Sequence, residues 1–395
     1  MIIVPDHLCK VDEQAFTPLL ISIGPIHCSN AKLQTMKKCK VRFCECLIQQ
    51  AKIDLKNLVE RIRAREKEIR SYYAESVVSS INNDDFVTMI LVDGMFIFAY
   101  VLISYSNLFE DDPTIRIPNW MQQLLKSDLG IPNYMQPVLK SDLVLLENQL
   151  PFLVLEMLFQ QVAESELEPL SVLEEPLSLR KLAFEFFGEY NIHSLAFRDF
   201  NANIEHFTAF KDFNGKIEHF TDLKYTATQL HEAGVTFKVV KKYDRCFFDM
   251  RFNLKNGVME ISCITLNDEN IHLIRNIIAL EQSCYVWHPF VTDFFVMLDF
   301  LIYNSKDVDL LCDKGILINY LGDSDTAASV VNSLNTNILW AKLWRQYFST
   351  PWRAASTGAA IILLLFTAIQ AICSLKEKGQ KLLDEFSIVL LYYHK

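Results

Sequence analysis

Two long apolar segments limit what this chain can fold into, because each must be covered either by protein or by lipid. Residues 86–109 read FVTMILVDGMFIFAYVLISYSNLF, and residues 354–375 read AASTGAAIILLLFTAIQAICSL. As a helix, each segment is long enough to cross a bilayer, which needs about 20 apolar residues. The architecture therefore depends on which segment lies in protein and which lies in lipid.

The segment 354–375 is predicted to be a single C-terminal transmembrane helix. It has no charged side chain, and at 1.5 Å per residue it would span about 33 Å. Charged residues bound it on both sides, and aromatic residues that suit a membrane interface precede it. The alternative is a buried core helix, since a few polar residues interrupt the segment. The anchor positions are Ala354, Ile361, Leu364, Phe366 and Leu375.

The side of the membrane on which the main domain lies is harder to predict. Basic residues before and after 354–375 roughly balance, so the positive-inside rule gives no orientation. The first twenty residues contain four charges and no uninterrupted apolar run, which is not the pattern of a signal peptide. We therefore expect a single-pass membrane protein whose main domain lies in the cytosol, and a main domain outside the cell is the alternative. The plasma membrane is a compatible location.

The segment 86–109 is predicted to be a buried core helix. Asp93 lies beside Gly94 in the middle of the apolar run, and a carboxylate at a bilayer centre costs about 2.5–3.5 kcal/mol. Asp93 has two interpretations. It is either a structural carboxylate with a buried partner, which we favour, or a general base whose pKa is raised by burial.

Helical periodicity dominates the remaining chain. Residues 33–73 show the apolar spacing of a long amphipathic helix, and residues 142–159 indicate two helical pieces with Pro151 at the start of the second. Residues 235–266 contain short β-rich runs separated by turn residues such as Asn256-Gly257. The predicted fold class is mainly α with a small antiparallel β inset. The predicted domains are a family-sized domain over 1–350, the membrane helix 354–375 and a short tail over 376–395.

Two tandem duplications interrupt this pattern. IPNWMQQLLKSDLG at 117–130 is followed at once by IPNYMQPVLKSDLV at 131–144, and FNANIEHFTAFKD at 200–212 is followed by FNGKIEHFTDLKY at 213–225. Two copies are too few for a solenoid, which needs about three units. We interpret each duplication as a lengthened connecting segment at the surface.

A polar triplet, Glu147, Asn148 and Gln149, lies inside an apolar stretch just before Pro151. Buried polar groups must find hydrogen-bond partners. The triplet therefore either caps a helix and hydrogen-bonds within the core, which we favour, or forms a site. With Asp93 it makes up the predicted structural polar motif.

Charge and motifs exclude several functional classes. A net charge of −10 and an isoelectric point near 5.5 argue against nucleic-acid binding. The signature motifs of serine hydrolases, HExxH metalloproteases and phosphate-binding loops are missing from the sequence. We predict no cofactor, metal ligand or catalytic residue. A zinc site among the five N-terminal cysteines is the weaker alternative, because Cys44 and Cys46 lack the spacing of a zinc knuckle.

Ordered sequence blocks carry a family resemblance along nearly the whole chain. They include IIVPDHLCKVDEQAFTPLLISIGPIH at 2–27, LVDGMFIFAYVL at 91–102, DLVLLENQLPFLVLEMLF at 142–159 and DVDLLCDKGILINYLGD at 307–323. YFSTPWRAASTGAAIILLLFTAIQ at 347–370 closes the series. The chain resembles the plant domain-of-unknown-function 247 family. It departs from that family in its two duplications and in residues 376–391.

The resemblance implies a helical domain with a C-terminal anchor and no established enzymatic activity. Some grass members of the family are linked to self-incompatibility as candidate pollen-side recognition determinants. We therefore expect a membrane-anchored plant protein that binds another protein, in recognition or signalling. Its other contact would be membrane lipid, through the C-terminal helix. A membrane-anchored enzyme is the alternative, and the sequence does not identify a small-molecule ligand.

Overall fold

The computed structural model describes residues 3–108, 131–164, 178–186, 225–240, 250–253, 255–284 and 289–335, together with residues 171–172, 175–176 and 248. Compact units extend over Met1–Thr336 and Asn337–Lys395. The predicted membrane helix at 354–375 and the tail at 376–395 lie outside the described residues, as do the duplicated segments 117–130 and 200–224.

The described part of the chain is mainly helical. The α-helices are α1 (Asp6–Cys9), α2 (Lys37–Gln50), α3 (Leu55–Ala64), α4 (Glu66–Ser71), α5 (Glu75–Val78), α6 (Asn83–Leu108), α7 (Gln136–Leu143), α8 (Phe152–Glu164), α9 (Leu179–Phe186), α10 (Ala227–Glu232), α11 (Asp268–Cys284), α12 (Phe290–Leu301), α13 (Ser305–Asp313) and α14 (Ser324–Leu334). Short 3-10 helices cover Glu13–Phe16, Ala31–Met36 and Asn133–Met135. The predicted helical fold class is confirmed at this level.

The strands form three small sheets. They are β1 (Ser171–Val172), β2 (Glu175–Pro176), β3 (Thr236–Val239), β4 (Met250–Asn253), β5 (Val258–Ile261), β6 (Ile264–Leu266) and β7 (Leu317–Asn319). β1 pairs with β2 antiparallel, the second sheet has the order β3-β5-β4, and β6 pairs with β7 parallel.

The prediction of an antiparallel sheet over 235–266 was wrong in its topology. β4 and β5 form an antiparallel hairpin across the turn at Gly257, but β3 runs parallel to β5. β5 is the central strand, so β3 lies beside a strand that is not its neighbour in sequence. Strand propensity identified which residues form β3, β4 and β5. The order in which the strands pair depends on tertiary contacts, which cannot be predicted from the alternation of apolar and polar residues.

The single amphipathic helix predicted over 33–73 is broken into a 3-10 segment and helices α2, α3 and α4. The break after α2 occurs at Lys52, whose φ of 49° is left-handed. Asp54 then starts α3, because its side chain accepts hydrogen bonds from the backbone N–H groups of Lys56 and Asn57 at 3.0 and 3.2 Å. A side-chain cap of this kind favours a new helix start over continuation.

Helix α6 is the centre of the larger hydrophobic core, and α2, α3, α8 and α9 pack against it. Within the described residues, Asn83–Ser104 is the one helix long and apolar enough to cross a membrane, and 72% of its most apolar window is buried in protein. Phe86, Phe96 and Phe98 are essentially inaccessible to solvent. These contacts agree with the predicted core helix, although the helix begins at Asn83 rather than at Phe86.

The contact between α6 and α8 depends on Gly94. A Cβ atom at this position would lie 2.6 Å from Leu158 Cδ1 and 3.4 Å from Val154 Cγ1. Leu158 is itself buried, so it has little room to move. The glycine therefore permits the two helices to approach closely.

We predict that Gly94→Ala lowers the free energy of unfolding by about 1–2 kcal/mol, because overpacking outweighs the helix-propensity gain of about 1 kcal/mol. In a Leu158→Ala background, which removes the obstructing methyl groups, the same substitution should instead stabilise the protein. Equilibrium urea unfolding of the four variants measures this coupling. An equal effect of Gly94→Ala in both backgrounds would contradict the packing explanation.

Candidate functional site

The site is built around an irregular N-terminal segment. Residues 17–27, called the arm below, include the stretch 19–24, which is neither helix nor strand, and residues 21–24 of this stretch are buried. Ile21 and Ile23 have no exposed surface, and Ser22 is also buried. A buried backbone outside regular structure must satisfy its N–H and C=O groups with other partners. In this protein those partners are side chains.

Asp142, in the last turn of α7, binds three successive backbone N–H groups of the arm. Its Oδ1 accepts from Leu19 at 2.9 Å, and its Oδ2 accepts from Leu20 at 2.7 Å and from Ile21 at 2.8 Å. Burial raises the pKa of Asp142 to about 6, although the three hydrogen bonds oppose the shift. A raised folded-state pKa means that this group contributes less stability as the pH rises through about 6.

Asn148 lies in the connection between α7 and α8 and hydrogen-bonds to the arm backbone both as a donor and as an acceptor. Its Oδ1 accepts from the N–H of Ile23 at 2.6 Å, and its Nδ2 donates to the carbonyl of Ile21 at 3.0 Å. The same Nδ2 donates to the backbone carbonyl of Asp142 at 2.9 Å. An amide side chain suits this position because it carries both a donor and an acceptor.

Asp93 projects from α6 and completes the contacts to the arm. Its Oδ2 accepts from the N–H of Gly24 at 2.9 Å, and its Oδ1 forms a short ion pair with Nζ of Lys40 on α2. Lys40 also donates to the carbonyl of Ser22 at 2.8 Å. Burial raises the pKa of the Asp93 carboxyl, and Lys40 opposes that rise. Asp93 therefore has the buried partner that a structural carboxylate requires.

Gly24 fits a position that other residues could not occupy without strain. Its φ is +70°, and a Cβ would lie 2.9 Å from the carbonyl oxygen of Gln149 and 3.2 Å from the hydroxyl of Tyr73. That hydroxyl donates to the same Gln149 carbonyl at 3.1 Å. The absence of a side chain therefore lets the backbone at Gly24 approach the backbone of the connection between α7 and α8 closely.

Glu147 and Gln149 support the site from within that connection. Gln149 Nε2 donates to the carbonyls of Leu143 and Leu145 at 2.6 and 3.0 Å, which holds the loop in shape. Glu147 Oε1 accepts from the N–H of Val4 at 2.8 Å, and its Oε2 lies 3.8 Å from Nε2 of His27. Burial raises the pKa of Glu147 and lowers that of His27.

The structure brings together all four residues of the predicted polar motif. Asp93 and Asn148 bind the arm directly, Glu147 binds the chain before it, and Gln149 binds the loop that carries the other two. In place of a helix cap, the hydrogen bonds that the structure shows for Glu147, Asn148 and Gln149 go to the arm, to Val4 and to this loop.

Sequence reasoning missed Lys40 and Asp142 as members of the site. Asp142 lies in the second copy of the first duplication, which we had interpreted as a surface insertion. That interpretation was wrong for residues 136–143, because they form α7 and bury Leu139 completely. The sequence feature that could have identified Asp142 is its position at the end of a stretch with helical apolar spacing. The duplication supplies the same Lys-Ser-Asp-Leu twice, so sequence alone could not select the copy.

The arrangement binds peptide backbone. Each of the three carboxylates accepts from at least one main-chain N–H group, and Asn148 contacts both main-chain donors and acceptors. No group of three or more His, Cys, Asp or Glu side chains in the described ranges is arranged to hold a metal ion. Among the cysteines that the structure describes, Cys44 is the buried one.

These features define a mainly helical protein whose buried polar side chains hydrogen-bond to its own backbone. The family model for a plant protein of unknown function, DUF247, matches residues 2–340, and the chain belongs to this family. A UPF0481 protein of Arabidopsis thaliana is 23% identical, with 93% of this chain and 84% of that protein covered. No solved structure matches the chain. The predicted family is therefore confirmed.

We predict that Lys40→Met lowers the free energy of unfolding by about 3–5 kcal/mol, because it leaves the Asp93 carboxylate buried without its charge partner. Adding Asp93→Asn should restore most of the loss, since the amide oxygen can still accept from Gly24. Chemical denaturation of the unaltered protein, the two single variants and the double variant gives the coupling free energy between Lys40 and Asp93.

The exposed pair formed by Arg63 and Asp84 at 2.7 Å is a matched control. Removing this surface pair with Arg63→Met should leave stability within measurement error. Additive losses for Lys40→Met and Asp93→Asn would contradict the assigned ion pair.

Proposed function

We propose that this protein is a membrane-anchored protein-interaction module, held to the bilayer by residues 354–375. The observation that carries the binding role is two exposed tyrosines on chain segments that hydrogen-bond to the same buried carboxylate, Asp307. Tyr225 and Tyr303 are 61% and 76% exposed. Large aromatic side chains bury extensive area at low entropic cost, and tyrosine is enriched among the residues that dominate interfaces.

Asp307 fixes both tyrosine-bearing segments. Its Oδ1 accepts from the N–H and Oγ1 of Thr228, in the first turn of α10 just after Tyr225, at 2.9 and 2.7 Å. Its Oδ2 accepts from the N–H groups of Tyr303 and Asn304 at 3.0 and 3.2 Å. The two backbones are therefore held near one side chain that has no exposed surface.

Because Asp307 holds these two backbone segments in place, their association with a partner protein costs little further conformational entropy. This arrangement suits binding through the exposed tyrosine rings. The polar site around the arm supports the same proposal. Its carboxylates accept main-chain hydrogen bonds, an arrangement that stabilises a scaffold.

The anchor proposal rests on residues 354–375, whose apolar length matches a bilayer. The helix α6 does not take this role in the proposal, because its apolar side chains pack inside the protein. The main domain is proposed to lie in the cytosol.

We predict that the full chain remains in the membrane pellet after alkaline carbonate extraction. Replacing Ile361, Leu364 and Phe366 together by arginine should release it, because each charge near the centre of a span costs about 2.5–3.5 kcal/mol. Replacing the same three residues by valine is the matched control and should keep the chain in the pellet.

Release of the unaltered chain by carbonate would overturn the anchor. In intact protoplasts, an N-terminal epitope should resist added protease until the cells are lysed. Digestion before lysis would place the main domain outside the cell.

For the binding role, we predict that a photoreactive amino acid at position 225 or 303 crosslinks to the same protein in plant membranes. The double variant Tyr225→Ala/Tyr303→Ala should bind the purified partner at least tenfold more weakly, as expected for interface hot spots. Tyr134, which is 74% exposed elsewhere, provides the matched control as Tyr134→Ala. If Tyr134→Ala weakens binding as much as the double variant does, Tyr225 and Tyr303 do not form the interface. Crosslinking of different proteins at positions 225 and 303 would refute it as well.

A further inference from the structure

The arm is bound in the way that proteins bind a peptide. Within residues 19–24, the N–H groups of Leu19, Leu20, Ile21, Ile23 and Gly24 all donate to side chains. The carbonyls of Ile21 and Ser22 accept from Asn148 and Lys40. A strand in the core would pair backbone with backbone. The backbone of this segment instead hydrogen-bonds to side chains from α2, α6, α7 and the connection before α8.

The same contacts define what the cleft accepts. Ile21 and Ile23 point into the core with no exposed surface, whereas the side chain of Leu19 is 65% exposed. Gly24 is required by its positive φ and by the close approach of the Gln149 carbonyl. The recognised pattern is therefore Ile-Ser-Ile-Gly, and the position of Leu19 is free to vary.

We propose that Asp93, Asp142, Asn148 and Lys40 form a peptide-binding cleft whose ligand is an Ile-Ser-Ile-Gly segment, and that the chain's own arm fills it. The occupant is residues 19–24 of the same molecule. Side-chain hydrogen bonds to the main chain supply the binding, and the buried positions of Ile21 and Ile23 supply the selectivity. A second copy of the segment fits the cleft equally well once the covalent link is cut.

The chain offers a place for that cut. Ser29 is exposed and follows the arm directly, before the 3-10 helix Ala31–Met36 begins. A recognition site for a sequence-specific protease, inserted between Cys28 and Ser29, would separate the arm from the rest of the folded full-length chain. After cleavage, the arm is held only by noncovalent contacts.

The test is exchange of the cleaved arm for a labelled peptide of residues 1–28 in the detergent-solubilised full chain. The cleaved protein should keep its circular dichroism spectrum and take up one labelled peptide per chain, with mild urea used to speed release of the original fragment. Uptake measured by fluorescence anisotropy should be unchanged for a Leu19→Ser peptide. It should fall at least tenfold for a Gly24→Ala peptide.

The two peptide variants leave the protein itself unaltered, so a folding defect cannot explain a difference between them. Aggregation of the chain on cleavage would show that the arm is an inseparable part of the core. Absence of uptake after the original fragment has left, or equal uptake of the Gly24→Ala peptide, would likewise overturn the cleft.

Discussion

The fold depends on satisfying the main chain of one buried segment. Burying residues 21–24 removes their N–H and C=O groups from water, and each unpaired group would cost about 1–3 kcal/mol. Asp93, Asp142, Asn148 and Lys40 replace the lost water with hydrogen bonds at fixed positions. The hydrophobic burial of Ile21 and Ile23 is favourable only because these polar partners are present.

These partners also connect elements that are distant in sequence. Lys40 comes from α2, Asp93 from α6 and Asp142 from α7, so the arm is contacted by three helices at once. The ion pair between Lys40 and Asp93 ties α2 to α6 where the two helices pack. The polar contacts therefore set the register of a core whose apolar side chains alone would tolerate several arrangements.

Much of this could be predicted from local patterns. Apolar periodicity identified the helices, and a charge inside an apolar run marked Asp93 as a residue that needs a partner. The identity of that partner could not be predicted, because Lys40 is 53 residues away on an ordinary charged helix. The parallel pairing of β3 with β5 depends on tertiary contacts. The same holds for the use of Asp142, which lies in one of two copies of Lys-Ser-Asp-Leu. Local propensity carries no information about these distant pairings.

The position of the arm has a consequence for biosynthesis. Gly24 binds a residue made 69 positions later, and Ile21 and Ile23 bind residues made 121 to 127 positions later. At about 5–20 residues per second, the ribosome needs roughly 6–25 s to produce the most distant of these partners. During that time the apolar stretch lacks its native partners. Until Asp142 and Asn148 have been synthesised, chaperones are the available binders of its apolar side chains.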